Sequence, residues 1–599
     1  MVVSTRVGRY AAASAMDIAM GDPADEGNPF GLHGMVSRDA AEAFPVRLAS
    51  RVASELGLCF VPAADGGTLS SIDESLMAVR VAGRRDATVV PATMSSITAA
   101  TCVLLAGTAE QRRRLVDLLA RGRHVPFALA EADHGADLAA NTCELTSSAG
   151  GQLRLDGEKW LVGLGERAAA ALVVARAQGR GASAFSAVLV DGDRLSEAVD
   201  GFLPDGLRPA GLRGIDFAHL RFDAADVERA AVVGPPGRGL EIATKAQQFV
   251  RIFGTAAPMG CADTALRLTM DFARRHRVSG RQVTSHPAAR RELATAVATM
   301  FGCDAVALAA ARLLHVLPEQ ASIASAVAKE IVGDGSEEIF ARCAGVLGAR
   351  SVVRDGRYAG FGVARRDNAA LRFADSSPAW NLRQLAPQLA QWASGFSQLP
   401  DRATMTDELA AAFDLDAGLP APRLSSLQVS ARGNDAVTAA LPFVAAAARA
   451  ELRDDPGPDS RGQLERTMLR LSALEMALGG LRREVLRARQ RLGAAFAGSL
   501  EQLDLTERFC RLHAAACCVH LWWFNRDRVL FGGEPAGTGW LSAALFVLLD
   551  RADRCRGRLD AVDTEAAFTV LARQHGLGHL FSAVTVPLAE SVARRRLLP

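Results

Sequence analysis

The sequence predicts a mainly α protein with a central antiparallel β domain, and three observations carry that prediction. Of its 599 residues 49% are hydrophobic and only two are tyrosine, a mixture that suits long packed helices better than sheets. Apolar residues recur at a period of 3.6 over most of the chain. Only between residues 125 and 233 do segments shorten and turn β-like, with Gly and Asp punctuating the gaps.

Residues 1–35 are polar and Gly-rich without a clear period, and read as a loose N-terminal arm. From Ala40 to Leu119 helical spacing gives four or five helices, in a domain covering 36–124. The β domain, 125–233, carries expected strands at Gln152–Leu155, Ala171–Ala175, Ser186–Val190 and Leu220–Phe222. Gly234-Pro235-Pro236-Gly237-Arg238-Gly239 is a turn, and it lacks the Lys-Ser/Thr end of a phosphate loop. Helices are expected again over Leu240–Ala273, Pro287–Leu317 and Ser322–Leu347, in a bundle covering 234–395. The Pro-, Asp- and Ser-rich stretch 396–435 reads as a linker with a short helix at most, and 436–599 as a helical extension. In that extension Leu464, Met468, Leu471, Leu474, Leu478, Leu481, Val485 and Leu492 form the stripe of a long amphipathic helix.

The 68 basic and 66 acidic side chains nearly cancel, so no long-range field would hold a polyanion and nothing points to nucleic acid. Ten cysteines without a CxxC pair, and no signal peptide, read as reduced thiols in a cytoplasmic protein. Apolar runs such as Leu541–Leu549 fall short of the roughly 20 residues of a membrane span. His513, Cys517 and His520 share a helix face at metal-like spacing, but no fourth ligand stands nearby and the apolar surroundings favour packing, so no metal is expected.

Short motifs follow in order along this frame. Phe127 to Asp137, FALAEADHGAD, resembles a stretch written ALTEPxxGSD, and Gly157 to Val162, GEKWLV, resembles GxKxWITN. Gly211-Leu212-Arg213-Gly214, with Val227 and Gly234, resembles GxRGS and an exit turn. Arg251, Gly260 and Gly280 fall where a long helix, its glycine and an RxxFG motif would place them, and Gly348-Ala349-Arg350-Ser351 resembles GGxGY. Asp375 follows the Arg366-Asp367 pair by eight residues, the interval from RD to the carboxylate of YEGT. Taken alone, Asp375 in its short polar run would read as a helix cap. Together the motifs resemble the acyl-CoA dehydrogenase superfamily of flavoproteins, and most the biosynthetic branch found beside polyketide or peptide assembly lines.

That resemblance implies FAD and an acyl thioester, on CoA or an acyl carrier protein, oxidised to its α,β-unsaturated form. Asp375 is then the base. Leu129 and Ala130 would present backbone groups to the flavin ring, with Gly135 and Ala136 beside them, and Leu161 and Gly163 would stand where side chains pack on and bond to the ring. Arg275, His276 and Arg277 would meet the FAD of a neighbouring subunit, Gly348 and Ala349 would also bind FAD, and Ser377 would meet the AMP phosphate. Arg251, Ser376 and Ala136 would face the substrate. Because that adenine pocket spans two subunits, a homodimer or homotetramer is implied. The electron acceptor stays open.

Several side chains depart from the family pattern. Ala130 replaces a Thr, Ala136 a Ser, Leu161 and Gly163 a Trp and a Thr, and His276 and Ser279 the Arg and Phe of RxxFG. Asp375 is one methylene, about 1.5 Å, shorter than Glu, and a misplacement near 1 Å can cost about a hundredfold in rate. Two alternatives stay beside the dehydrogenase: a flavin-free scaffold that binds a carrier protein, and a flavin monooxygenase on the same fold. Truncation after about residue 396 is expected to leave the acyl site formed.

Overall fold

A computed structural model describes residues 9–135, 137–147, 152–177, 179, 181–192, 195, 199–202, 208–374, 376–395 and 401–590. The chain runs from helices through a sheet and back to helices. The first helices are α1 (Ala11–Ala19), α2 (Leu32–Ala40), α3 (Val46–Leu56), α4 (Ile72–Arg85), α5 (Val89–Met94), α6 (Ile97–Ala106) and α7 (Ala109–Ala120). Thr108 and Gln111 start the last of these with a reciprocal capping box. The expected loose arm does not describe residues 9–35. Asp17 of α1 is buried against Arg84 and Arg85, which ties the arm into the core.

The strands are β1 (Phe127–Ala128), β2 (Glu144–Ser147), β3 (Leu153–Gly163), β4 (Ala170–Arg176), β5 (Phe185–Asp191), β6 (Val199–Phe202), β7 (Phe217–Val227) and β8 (Val232–Val233). They form one sheet in the order β6-β7-β3-β2-β4-β5-β8, with β1 beside β4. The sheet is mixed, which corrects the antiparallel expectation. β1 and β2 both pair parallel to β4, because the chain crosses from the first helices into the sheet beside a later strand.

The second helical layer holds α8 (Gly239–Phe253), α9 (Ala256–Arg275), α10 (Pro287–Val316), α11 (Ala321–Leu347), α12 (Ala359–Leu371) and α13 (Pro378–Ser394). Between α9 and α10 a hairpin pairs β9 (Arg277–Val278) with β10 (Arg281–Gln282). Gly260 lets α9 cross α4 closely, since a Cβ there would stand 2.7 Å from the Arg84 nitrogen. Two stretches, Val89–Ala106 and Pro287–Val316, are long and apolar enough to cross a membrane, contrary to the sequence expectation. They are 67% and 94% buried, and α10 is a core helix.

Beyond α13 come α14 (Arg402–Phe413), α15 (Ala436–Asp454), α16 (Arg461–Leu492), α17 (Leu500–Trp523), α18 (Gly539–Ala552) and α19 (Ala561–Leu577). α14 sits inside the expected linker, capped by Asp401 and held by buried Met405, Leu409 and Phe413. Leu471, Leu474, Leu478, Leu481 and Val485 of the long stripe are buried. Nine of the ten cysteines are buried free thiols, and Cys555 is exposed.

Candidate active site

Three groups of the expected residues can be placed. The first lies where the chain leaves β1. Lys159 of β3 points back under this loop and donates to Glu131 at 2.7 Å and to the Leu129 carbonyl at 3.1 Å. Asn141 donates to the same carbonyl at 2.7 Å, so both of its lone pairs are engaged within the protein. The Ala130 carbonyl accepts the Trp160 N–H at 2.9 Å and keeps one lone pair. Glu131 also accepts the N–H groups of Thr142 and Cys143. Burial pushes this carboxyl up, but Lys159 and those N–H groups outweigh it and hold its pKa below the ordinary value.

On β3 the register slips between Lys159 and Val162. Leu161 consequently adopts φ +53° with its side chain 41% exposed, a left-handed conformation that costs roughly 1 kcal/mol or more for a branched residue. Gly163 follows, opposite Phe217 of β7. Gly135 is open, with nothing within 4 Å of where a Cβ would be. Ala136 lies outside the described residues.

The second group surrounds the expected base. Asp375 itself lies outside the described residues. Before it, Lys329 of α11 donates to the Ala374 carbonyl, and Arg372 pairs with Asp334. After it, Ser376 is buried and its hydroxyl has no partner among the described residues. Ser377 caps α13 by accepting the Trp380 N–H at 3.3 Å, so the cap role belongs to this residue. Arg251 of α8 is buried and donates to Gln384 of α13.

Arg366 and Asp367 have structural partners. Asp367 accepts the Leu212 N–H at 2.6 Å, and Arg366 pairs with Asp39 of α2. A side chain at Gly211 would collide with the Arg366 carbonyl, so the Gly211–Gly214 loop and the Arg-Asp pair are two halves of one joint.

The third group is the β9–β10 hairpin and the end of α11. Ser279 at φ +49° and Gly280 at φ +74° make its two-residue turn. Arg275 is exposed, the His276 ring lies 4.3 Å from Phe272, and Arg277 donates to the Gly280 carbonyl at 2.9 Å. Gly348, at φ +59°, and Ala349 are exposed, and next to them the Arg350 guanidinium stands 5.0 Å from the Phe272 ring. Phe272 therefore links the two segments.

Sequence reading missed Lys159 and Glu131 as a pair, although both stand in motifs it used. The other candidate cluster is structural. His513 bridges Asp435 at 3.2 Å and Cys517 at 3.6 Å, and His520 donates to the Val437 carbonyl. Among the described residues no group of three His, Cys, Asp or Glu is placed to hold a metal.

The acyl-CoA dehydrogenase middle-domain model matches residues 126–225, and the acyl-CoA dehydrogenase C-terminal-domain model matches residues 237–386. These matches place residues 126–386 in the acyl-CoA dehydrogenase superfamily. Among curated superfamily members, Probable acyl-CoA dehydrogenase FadE10 of Mycobacterium tuberculosis is 31% identical over 206 residues, 34% of this chain. The match spans 31% of that relative's own length. Butyryl-CoA dehydrogenase from Megasphaera elsdenii superposes with a TM-score of 0.56 at 17% identity, over 64% of this chain and 97% of that one. The prolyl acyl carrier protein oxidase AnaB superposes at 0.54 and 17% identity, over 65% of this chain and all of that one. These two likenesses show the fold. Residues after 386, including α14 to α19, lie beyond both family models.

Proposed function

We propose that this superfamily member is an FAD-dependent oxidoreductase that desaturates an acyl thioester at its α,β bond in a biosynthetic pathway. The observation that carries the reading is the loop between α12 and α13. It is tethered by Lys329 on one side and capped by Ser377 on the other, with buried Arg251 behind α13, inside a chain of acyl-CoA dehydrogenase type.

The residues present fit FAD. Exposed Leu161 offers an apolar surface for a flat ring, and Gly135 leaves open space where a side chain would stand. Exposed Arg275 at the end of α9 and Arg277 on the hairpin offer cations for a diphosphate, from the surface that the resemblance assigns to a neighbouring subunit. The Ser377 hydroxyl, an acceptor for its own helix cap, retains its O–H for a phosphate oxygen. When bound, FAD supplies the hydride acceptor.

Asp375 takes the α-proton, a task that demands close placement because a thioester α-proton is far too weakly acidic for a free carboxylate. Donors at the thioester oxygen must therefore stabilise the developing enolate, and the backbone N–H of the base residue survives any side-chain change. Buried Ser376, with its hydroxyl unengaged, stands next to that group.

The test is a visible absorption spectrum of the purified protein, with and without added FAD. Flavin bands are expected, and their absence in both samples would sink the redox reading in favour of a scaffold. Asp375→Asn is expected to keep the flavin spectrum and lose desaturation by at least about a hundredfold. Unchanged turnover would remove Asp375 from its role.

A further inference from the structure

The stretch from Asn368 to Asn381, which carries the proposed base, is laid along one side of α11. Asn368 donates to Glu337, Arg372 pairs with Asp334, the Ala374 carbonyl accepts from Lys329, and Asn381 donates to the Ala326 carbonyl at 2.9 Å. Those four α11 positions span about three turns, so a single rigid helix sets the path of the loop. Asp334 is braced from behind as well. Arg511 of α17 approaches its second oxygen at 3.4 Å and pairs with Glu507 at 2.7 Å.

Within this frame the Ala374 carbonyl stands next to the base in the chain. It accepts two donors, the Lys329 ammonium and the Ser376 N–H at 2.9 Å, so both of its lone pairs are engaged. One of those donors carries a full charge, which strengthens the bond. A peptide unit is planar and trans by default, with its carbonyl and the following N–H pointing opposite ways, so a fixed Ala374 carbonyl also fixes the direction of the N–H that follows it. That N–H belongs to Asp375. It is the backbone donor that the thioester reading needs at the developing enolate. A cation at the carbonyl end polarises the unit and makes its N–H a stronger donor, because hydrogen bonds in a chain reinforce one another.

We propose that Lys329 is a positioning residue for α-proton removal, its ammonium orienting and polarising the Ala374–Asp375 peptide so that the N–H of this unit meets the thioester oxygen as negative charge builds there. The proposal rests on the thioester reading above and adds a side chain that acts on the enolate through one peptide unit. Lys329 is half-buried at the edge of α11, outside the apolar core, so its charge can be removed without opening a cavity.

Acetoacetyl-pantetheine tests this without turnover, because its acidic α-proton leaves at equilibrium and the enolate is read by ultraviolet absorption. The flavin-loaded full chain is compared with Lys329→Met, Lys329→Gln and Lys329→Arg across pH at saturating ligand. The wild-type protein is expected to favour the enolate at least about tenfold over free solution. Lys329→Met and Lys329→Gln are each expected to lose about tenfold of that preference, and Lys329→Arg, which keeps a cationic donor, to stay within about threefold of the wild type. Binding of the un-ionised ligand at low pH is expected to be unchanged in all three, which a general loosening of the loop would not allow. A wild-type preference retained in both neutral variants, or a loss in Lys329→Arg as large as theirs, would overturn the assignment. No preference in the wild-type protein would overturn the thioester reading along with it. Failure of desaturation with the predicted pattern intact would count against the reaction and leave the role of Lys329 standing.

Discussion

Glu330 of α11 shows how far a side chain's chemistry can depart from its appearance in sequence. It stands beside Lys329 and reads as an ordinary surface charge, yet it is buried, with Oε2 unpartnered among the described residues. Its neighbour Asn381, also buried, spends its amide N–H on the Ala326 carbonyl at 2.9 Å. Burial first, then Asp334, pushes the Glu330 carboxyl up from 4.5 to about 7; Glu507 adds to this, while Asn381 and Arg511 oppose it. The unfolded chain releases this proton near 4.5 and the folded protein holds it to about 7, so stability falls as pH rises through that window. The interval corresponds to roughly 3 kcal/mol. Glu330→Gln, neutral throughout, is expected to shrink the fall in Tm between pH 5 and pH 8 by about 2 °C. Asp367, also pushed to about 7 by burial, leaves a residual slope. An unchanged slope in the glutamine variant, measured by thermal denaturation at both pH values, would show that Glu330 is ionised in the fold. Residue type and spacing were legible in the sequence here; depth of burial, which depends on elements far along the chain, was not.

At the scale of elements, the positions of β3, β4, β5 and β7 were legible because period-2 segments and Gly-Asp gaps survive in the sequence. The full length of β3 was not. It runs through a slipped register at Leu161, where a left-handed residue breaks the alternation that sequence reading follows. The same strand carries Lys159, whose ammonium is fully buried under the loop it pins. Removing a partner from a buried pair leaves the other charge stranded, at a cost of about 3–5 kcal/mol. Lys159→Met, which fills similar space without charge, is expected to lower stability by about that amount and to raise the Glu131 pKa toward the neutral acid. It also frees one lone pair of the Leu129 carbonyl, so any bound flavin is expected to show a shifted visible spectrum. A variant as stable as the wild type in chemical denaturation would mean that the Thr142 N–H and hydroxyl and the Cys143 N–H suffice for Glu131.

For the whole molecule, the helical, β, helical order was legible from periodicity and motif order, but the dependence of that body on the extension was not. Residues 579–590 return to the first helices and to α9 and α10, and complete a buried ionic network. The Phe581 N–H donates to Asp263 at 2.9 Å, the Ala583 N–H to Asp304 at 2.7 Å and the Ala589 N–H to Asp17 at 2.8 Å. Glu590 pairs with Arg84, Arg80 donates to the Phe581 carbonyl at 2.8 Å, and Arg267 lies over the Phe581 ring. Asp17 is held at a pKa of about 2 although burial pushes it up, because Arg85 and Arg84 outweigh that push. Such a network is made of residues hundreds of positions apart, so no local pattern announces it. Its loss strips donors from three buried carboxylates at once, each worth about 1.5–3 kcal/mol as a charged hydrogen bond. These contacts argue against the expectation that the acyl site stays formed without the extension. A chain ending at Gly578 is expected to lose about 5 °C in Tm, and one ending near residue 396, which also uncovers α10, is expected to be insoluble. Recovery of a soluble, cooperatively folding chain after the longer truncation would show that the helical and β domains stand without the network.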